Sequence, residues 1–235
     1  MNEIEIVKRY NETFAVEIPL RLQVDGDVGT VEICGTDEAR AEVEVTVKAW
    51  GQSEEEAGAK VEQITVDIEQ GDEGQVQVRS AVPGKLCIGR SPNVAIRVHA
   101  PRQSRVQVVN QVGQVLVSDI EGALDVRAHV GEIKVDRFVM TGDSTLRVGV
   151  GTLRIGLTAD GGFNLDARAD IGSVRSDPGP LRHKRVWPGI GDHVRGPVGD
   201  DPHLNLTLRA NTGAIRVLNA ADEAGRYASQ QRRTV

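Results

Sequence analysis

A twelve-residue phrase is written twice in this chain. LDVRAHVGEIKV occupies Leu124 to Val135, and LTLRANTGAIRV occupies Leu206 to Val217. Looser copies run from Leu22 to Ile33, Val106 to Val117 and Leu165 to Ser176, and a copy two residues shorter runs from Leu146 to Ile155. The shared frame is apolar-x-apolar, a few linking residues, then Gly-x-apolar-x-apolar. The glycine slot holds Gly29, Gly113, Gly131, Gly151, Gly172 and Gly213. Each half of the frame alternates apolar and polar residues with period two, the pattern of a short strand with one buried face. The glycine marks a corner, where a Cβ is often unwelcome.

Successive frames in the central block start 18, 22 and 19 residues apart. Two strands per period of about 20 residues is the pattern of a β-solenoid, in which stacked units bury a stripe that none can bury alone. A sandwich of hairpins is the alternative, and the even spacing with glycine in register argues against it. The expected fold is therefore all-β: a single-stranded, β-helix-like solenoid of short stacked strands over 101–220. Composition agrees. Hydrophobic residues make up 39% of the chain but aromatics only 3%, so the core is built of thin Val, Ile, Leu and Ala layers. Glycine, at 26 of 235 residues, exceeds its usual share of about 7%.

The remainder is less periodic. Residues 1–100 form an expected β-rich part, packed on the solenoid or continuous with it. Ser53 with Glu56 makes a capping box, which predicts one short helix over about 54–63. A hairpin is expected to turn at 71–74. The segment of about 177–203, rich in Pro, Gly and charge, is expected to be a long loop inserted into the solenoid. Residues 221–235 are expected to be a flexible tail.

These residues resemble the DUF4097 family, the putative adhesin or toastrack domain. The resemblance lies in PLRLQVDGDVGTVEICGTDEARAEVEVTVKAWG, in the helix beginning SEEEA, in the repeated Gly-x-apolar-x-apolar units, and in the closing LTLRANTGAIRV. It implies an all-β repeat protein without catalytic activity, of a kind sometimes linked to cell-envelope-stress and membrane proteins. It supplies no catalytic residue.

Charge narrows the functional classes. The net charge is −6, but 1–100 hold 10 basic and 19 acidic residues, whereas 101–235 hold 18 and 15. An acidic whole argues against nucleic acid, which demands neutralised phosphates. On stacked rungs, outward residues form columns. One column should hold Lys134, Arg154, Arg175 and Arg216 beside Leu116, and a second Arg127, Arg168 and Arg209, with Gly149 between the first two. Such columns suit an anionic glycan, a membrane surface or an acidic partner; acidic neighbours in the surface could also neutralise them. In the insertion, Arg182, Lys184, Arg185 and Trp187 make a candidate partner loop, for another protein or a second copy of the chain, since Arg and Trp are frequent binding anchors; the alternative is that Trp187 folds back to cap the side of the solenoid.

No metal or cofactor site is expected. His183, His193 and His203, with Asp192, Asp200 and Asp201, lack the tight spacing of an ordered metal site, and Cys34 and Cys87 sit in no metal-binding motif; whether the two pair is open. No GxSxG, HExxH or P-loop is present. The reading is a non-catalytic binding or scaffold protein, with a polysaccharide-acting enzyme on the solenoid face as the alternative. The N-terminal residues have no leader pattern, and no apolar run approaches membrane-spanning length, so a cytoplasmic location is expected.

Overall fold

The computed structural model describes residues 3–71, 74–84, 91–158, 161–177, 182–187 and 190–219, with backbone alone for 183–187 and 219. The strands in chain order are β1 (Ile4–Ala15), β2 (Leu20–Thr36), β3 (Arg40–Gly51), β4 (Thr65–Gln70), β5 (Val76–Ala81), β6 (Asn93–Pro101), β7 (Gln103–Ser118), β8 (Glu121–Met140), β9 (Ser144–Leu157), β10 (Phe163–Ser176), β11 (Arg182–Trp187), β12 (Gly191–Val198) and β13 (Leu204–Asn219). One helix, α1 (Glu54–Glu62), follows β3. All the strands join one long open sheet, in the order β1-β3-β6-β2-β7-β8-β9-β13-β10-β12-β11, with β5 beside β2 and β4.

The six copies of the frame are six parallel strands, β2, β7, β8, β9, β13 and β10, paired in register. Each such strand, one rung of the sheet, runs through its corner glycine and buries alternate residues on either side of it. One interior column is Val24, Val108, Val126, Leu146, Leu208 and Ala167, and another is Val31, Val115, Ile133, Leu153, Ile215 and Val174. All twelve are buried in a single cluster. Column-wise burial of branched side chains at the rung spacing of about 4.8 Å is what rewards this sequence.

The glycines are required by the stacking. Their φ angles lie between 134° and 147°, a region essentially closed to residues with a Cβ. A Cβ on Gly131 would sit 1.7 Å from the carbonyl oxygen of Gly113, and one on Gly151 the same distance from that of Gly131. The glycine column is thus packed backbone against backbone.

The rungs do not stack in chain order. β13 lies between β9 and β10, pairing parallel with both. The segment expected to be a loop over about 177–203 instead contains β11 and β12. They form an antiparallel pair, and β12 also pairs antiparallel with the first half of β10, from Phe163↔Val198 to Ala169↔Asp192. Val194 and Val198 enter the core, so alternate apolar residues, sparse among the prolines and glycines, were enough to make a strand.

At the other end β5 covers the first half of β2 and β6 the second. β3 and β1 extend that half antiparallel. β4 and β5 form the hairpin around 71–74. In α1 the Ser53 side chain accepts from the Glu56 N–H, the capping bond read in the sequence, while the Glu56 carboxylate reaches one residue further back than a capping box requires and accepts from the Gln52 N–H. Ala57 and Val61 form its buried face. Cys34 is half-buried with a free thiol; Cys87 and the tail 221–235 lie outside the described residues.

Candidate functional site

The half of each rung before the corner points its fourth frame residue outward. Backbone pairing aligns Arg127 with Arg147, Arg147 with Arg209, and Arg209 with Arg168. Four arginines therefore stand in one row on adjacent rungs. Gly149 does not belong to this row, contrary to the sequence expectation. The short copy lacks its leading residues, so its equivalent positions must be counted back from Gly151, and that count gives Arg147. Ser144 takes the slot that Leu124 and Leu206 fill elsewhere. It is buried, accepts a hydrogen bond from the Leu124 N–H at 3.1 Å and donates to the Gly142 carbonyl at 3.1 Å.

Three members of the row are neutralised within the protein. Arg127 pairs with Asp125 at 3.2 Å and Arg168 with Asp170 at 2.8 Å. Arg209 donates to the Asp166 carboxylate at 2.7 Å and to the Asp166 and Leu208 carbonyls. Asp166 also meets His193 at 3.0 Å, and the Arg209 guanidinium, assisted by His193, holds the Asp166 carboxyl below the ordinary range. Arg147 is exposed and, among the described residues, has no carboxylate partner. Like charges at rung spacing repel by about 1 kcal/mol at a water-like dielectric and more where the surface excludes solvent.

The row lines an open groove of about 550 Å3, bounded by Arg127, His129, Arg147, Arg168, Arg209 and Asn211. Asp170, bound to Arg168, is its one carboxylate. Among the described residues the groove therefore presents a single carboxylate, where a glycosidase uses a pair.

The other basic column lies on the far half of the rungs. Register aligns Leu116, Lys134, Arg154, Arg216 and Arg175 in that order. Lys134 pairs with Asp136 at 2.7 Å. Lys134 and Arg154 are half-buried, whereas Arg216 and Arg175 are exposed and border a hollow of about 210 Å3 with Asp177 and Leu218. The column continues past Leu116 into Glu32 and Arg97, which pair at 3.0 Å, so its charge is compensated at that end.

The candidate partner loop is strand β11. Arg182 at its start is exposed; the side chains of Lys184, Arg185 and Trp187 lie outside the described residues. In β12, Asp192 accepts from the Val174 N–H at 3.0 Å on the free side of β10, and His193 serves Asp166. His203 Nδ1 contacts the Asp201 carbonyl at 2.9 Å. Among the described residues no three metal-capable side chains converge.

One surface row escaped the sequence reading. The residue before each corner glycine is Val28, Val112, Val130, Val150, Thr212 or Ile171, and register aligns all six. Val112, Val130, Val150 and Ile171 are 46, 47, 52 and 54% exposed. The signal was in the sequence, as a β-branched residue before every repeat glycine. Period-two counting assigned it to the linker because the corner breaks the alternation.

No family model matches the chain, and no curated protein does. Among solved structures, a putative cell adhesion protein from Clostridium sporogenes aligns at a TM-score of 0.59 with 16% identity, covering 90% of this chain and 100% of that one. A putative adhesin from Bacteroides fragilis aligns at a TM-score of 0.34 with 9% identity, covering 90% and 97%. The first likeness shows a common fold along nearly the whole chain.

Proposed function

We propose that this chain is a non-catalytic binding module of the DUF4097 type, a β-solenoid whose four-arginine row receives anionic groups on a partner. The observation that carries the reading is Arg147. It stands between Arg127 and Arg209 in a groove whose one carboxylate among the described residues, Asp170, is already bound to Arg168. A row of guanidinium groups one rung apart suits a surface or polymer bearing repeated negative charge: an anion at Arg147 meets a cation with no carboxylate partner among the described residues, and the flanking arginines, paired to carboxylates at the surface, present further donors beside it. The fold shared with a protein named for cell adhesion supports a binding role over an enzymatic one. The reading keeps the cytoplasmic location expected from the sequence.

The test is retention on dextran sulfate as salt is raised, comparing the wild type with Arg147→Ser and with Arg127→Ser/Arg147→Ser. Binding should be strongest at low ionic strength, where screening is least. The single substitution should weaken it about fivefold, the equivalent of about 1 kcal/mol. A wild type that fails to bind at low salt overturns the reading.

A further inference from the structure

Beside the arginine groove runs an aliphatic ridge. The groove ends at His129, Gly149, Asp170 and Asn211, the residues directly before Val130, Val150, Ile171 and Thr212. On its other side, two residues along each rung, are Gln114, Glu132, Thr152, Ala214 and Ser173. These are small or neutral except for Glu132, which accepts from Gln114 at 3.5 Å. A line of branched apolar side chains is thus edged with cations on one side only.

We propose that this ridge and the arginine row together dock the protein on an anionic lipid bilayer, the ridge sinking among the headgroups while the arginines hold lipid phosphates. The inference rests on the anion-binding reading above and names the bearer of the anions. Three observations favour a bilayer. The ridge is long and only one side chain wide: six rungs at about 4.8 Å place its ends roughly 24 Å apart. Four of its six side chains, Val112, Val130, Val150 and Ile171, are about half exposed, and contiguous exposed apolar residues of this kind mark an interaction site on a monomer. The charge beside it is basic, in the part of the chain that is basic overall, complementary to anionic headgroups. Apolar residues joined to Lys and Arg are what an interfacial binder needs, since insertion and electrostatic attraction add. A soluble polyanion would use the arginines but leave the ridge in water.

Thr212 shows that threonine fits this row without altering the rung. The ridge is therefore tested with Val130→Thr/Val150→Thr/Ile171→Thr, near-isosteric changes at exposed positions, alongside Arg147→Ser. Each protein is mixed with vesicles of phosphatidylserine and phosphatidylcholine, with phosphatidylcholine vesicles alone, and with dextran sulfate, after circular dichroism has shown unchanged melting. The wild type should sediment with the anionic vesicles and not with the neutral ones. The ridge variant should lose vesicle binding at least tenfold and keep dextran sulfate binding, whereas Arg147→Ser should weaken both. Binding of wild type to dextran sulfate but not to anionic vesicles, or vesicle binding that the ridge variant retains in full, overturns the membrane inference and leaves the anion reading standing. Binding to neither overturns both.

Discussion

Replacing Gly131 with alanine strikes the structural device on which every rung depends. Its new Cβ would lie 1.7 Å from the Gly113 carbonyl oxygen and 2.7 Å from the carbonyl carbon. Ordinary contact begins above 3 Å, so β7 and β8 would have to separate by more than an ångström at the corner, or Gly131 would have to leave its φ of 141°. The first response weakens the ladder bonds flanking the corner, at about 1 kcal/mol for each bond lost. The second abandons the bend, and holding alanine in so unfavourable a region costs about 1–3 kcal/mol. Together the expected loss is about 3–5 kcal/mol. It is measured by urea unfolding followed by circular dichroism, with the midpoint falling and secondary structure retained below it. The matched control is Gly58→Ala. Gly58 lies inside α1, and a Cβ there meets nothing within 4 Å, so alanine should stabilise by about 0.5–1 kcal/mol through helix propensity. A Gly131→Ala protein within about 1 kcal/mol of wild type would refute the claim that the glycine column is packed backbone on backbone.

Three further outcomes follow from named contacts. Ser144→Ala should cost about 1–3 kcal/mol, because the buried Leu124 N–H loses its side-chain acceptor; a melting temperature equal to wild type would show that the bond does not matter. Arg147→Ser should leave stability unchanged or slightly raised, since the guanidinium faces its own kind on both sides; a clear loss in melting temperature would mean that the row is held by contacts of another sort. Arg137 grips Asp119 through Nε at 2.7 Å and through a second bond from Nη2, with Arg102 adding a third cationic contact, so the Asp119 carboxyl is held below its ordinary range. A depressed carboxyl stabilises fully above its unfolded value of about 3.9 and less as pH falls through the folded value. The stability gap between wild type and Arg137→Gln should therefore be constant near neutrality and narrow below about pH 4; an acid-unfolding series in which the gap stays flat contradicts this.

The chain's own sequence determined the rung. Alternation about a recurrent glycine specifies two strand halves, their buried faces and their mutual register, because a one-residue slip would turn every Val and Ile of a half outward. Ser53 and Glu56 likewise specified α1, since capping is a local bargain between neighbouring backbone and side-chain groups. Tertiary structure decided the order of the rungs. Near-identical strands present near-identical edges, so nothing local distinguishes β13 beside β9 from β10 beside β9. That choice belongs to the whole sheet, in which β12 occupies the outer edge of β10 and β13 fills the place between. The composition of the row opposite the core was decided in the same way. Arg147 joined Arg127, Arg209 and Arg168 because stacked carbonyls anchor each rung at its glycine, whereas the leading residues of the short copy are free to differ. The valines before the glycines are written in the sequence, but their exposure was decided by the corner, which turns them outward against the rule that a branched apolar residue in a strand seeks the core.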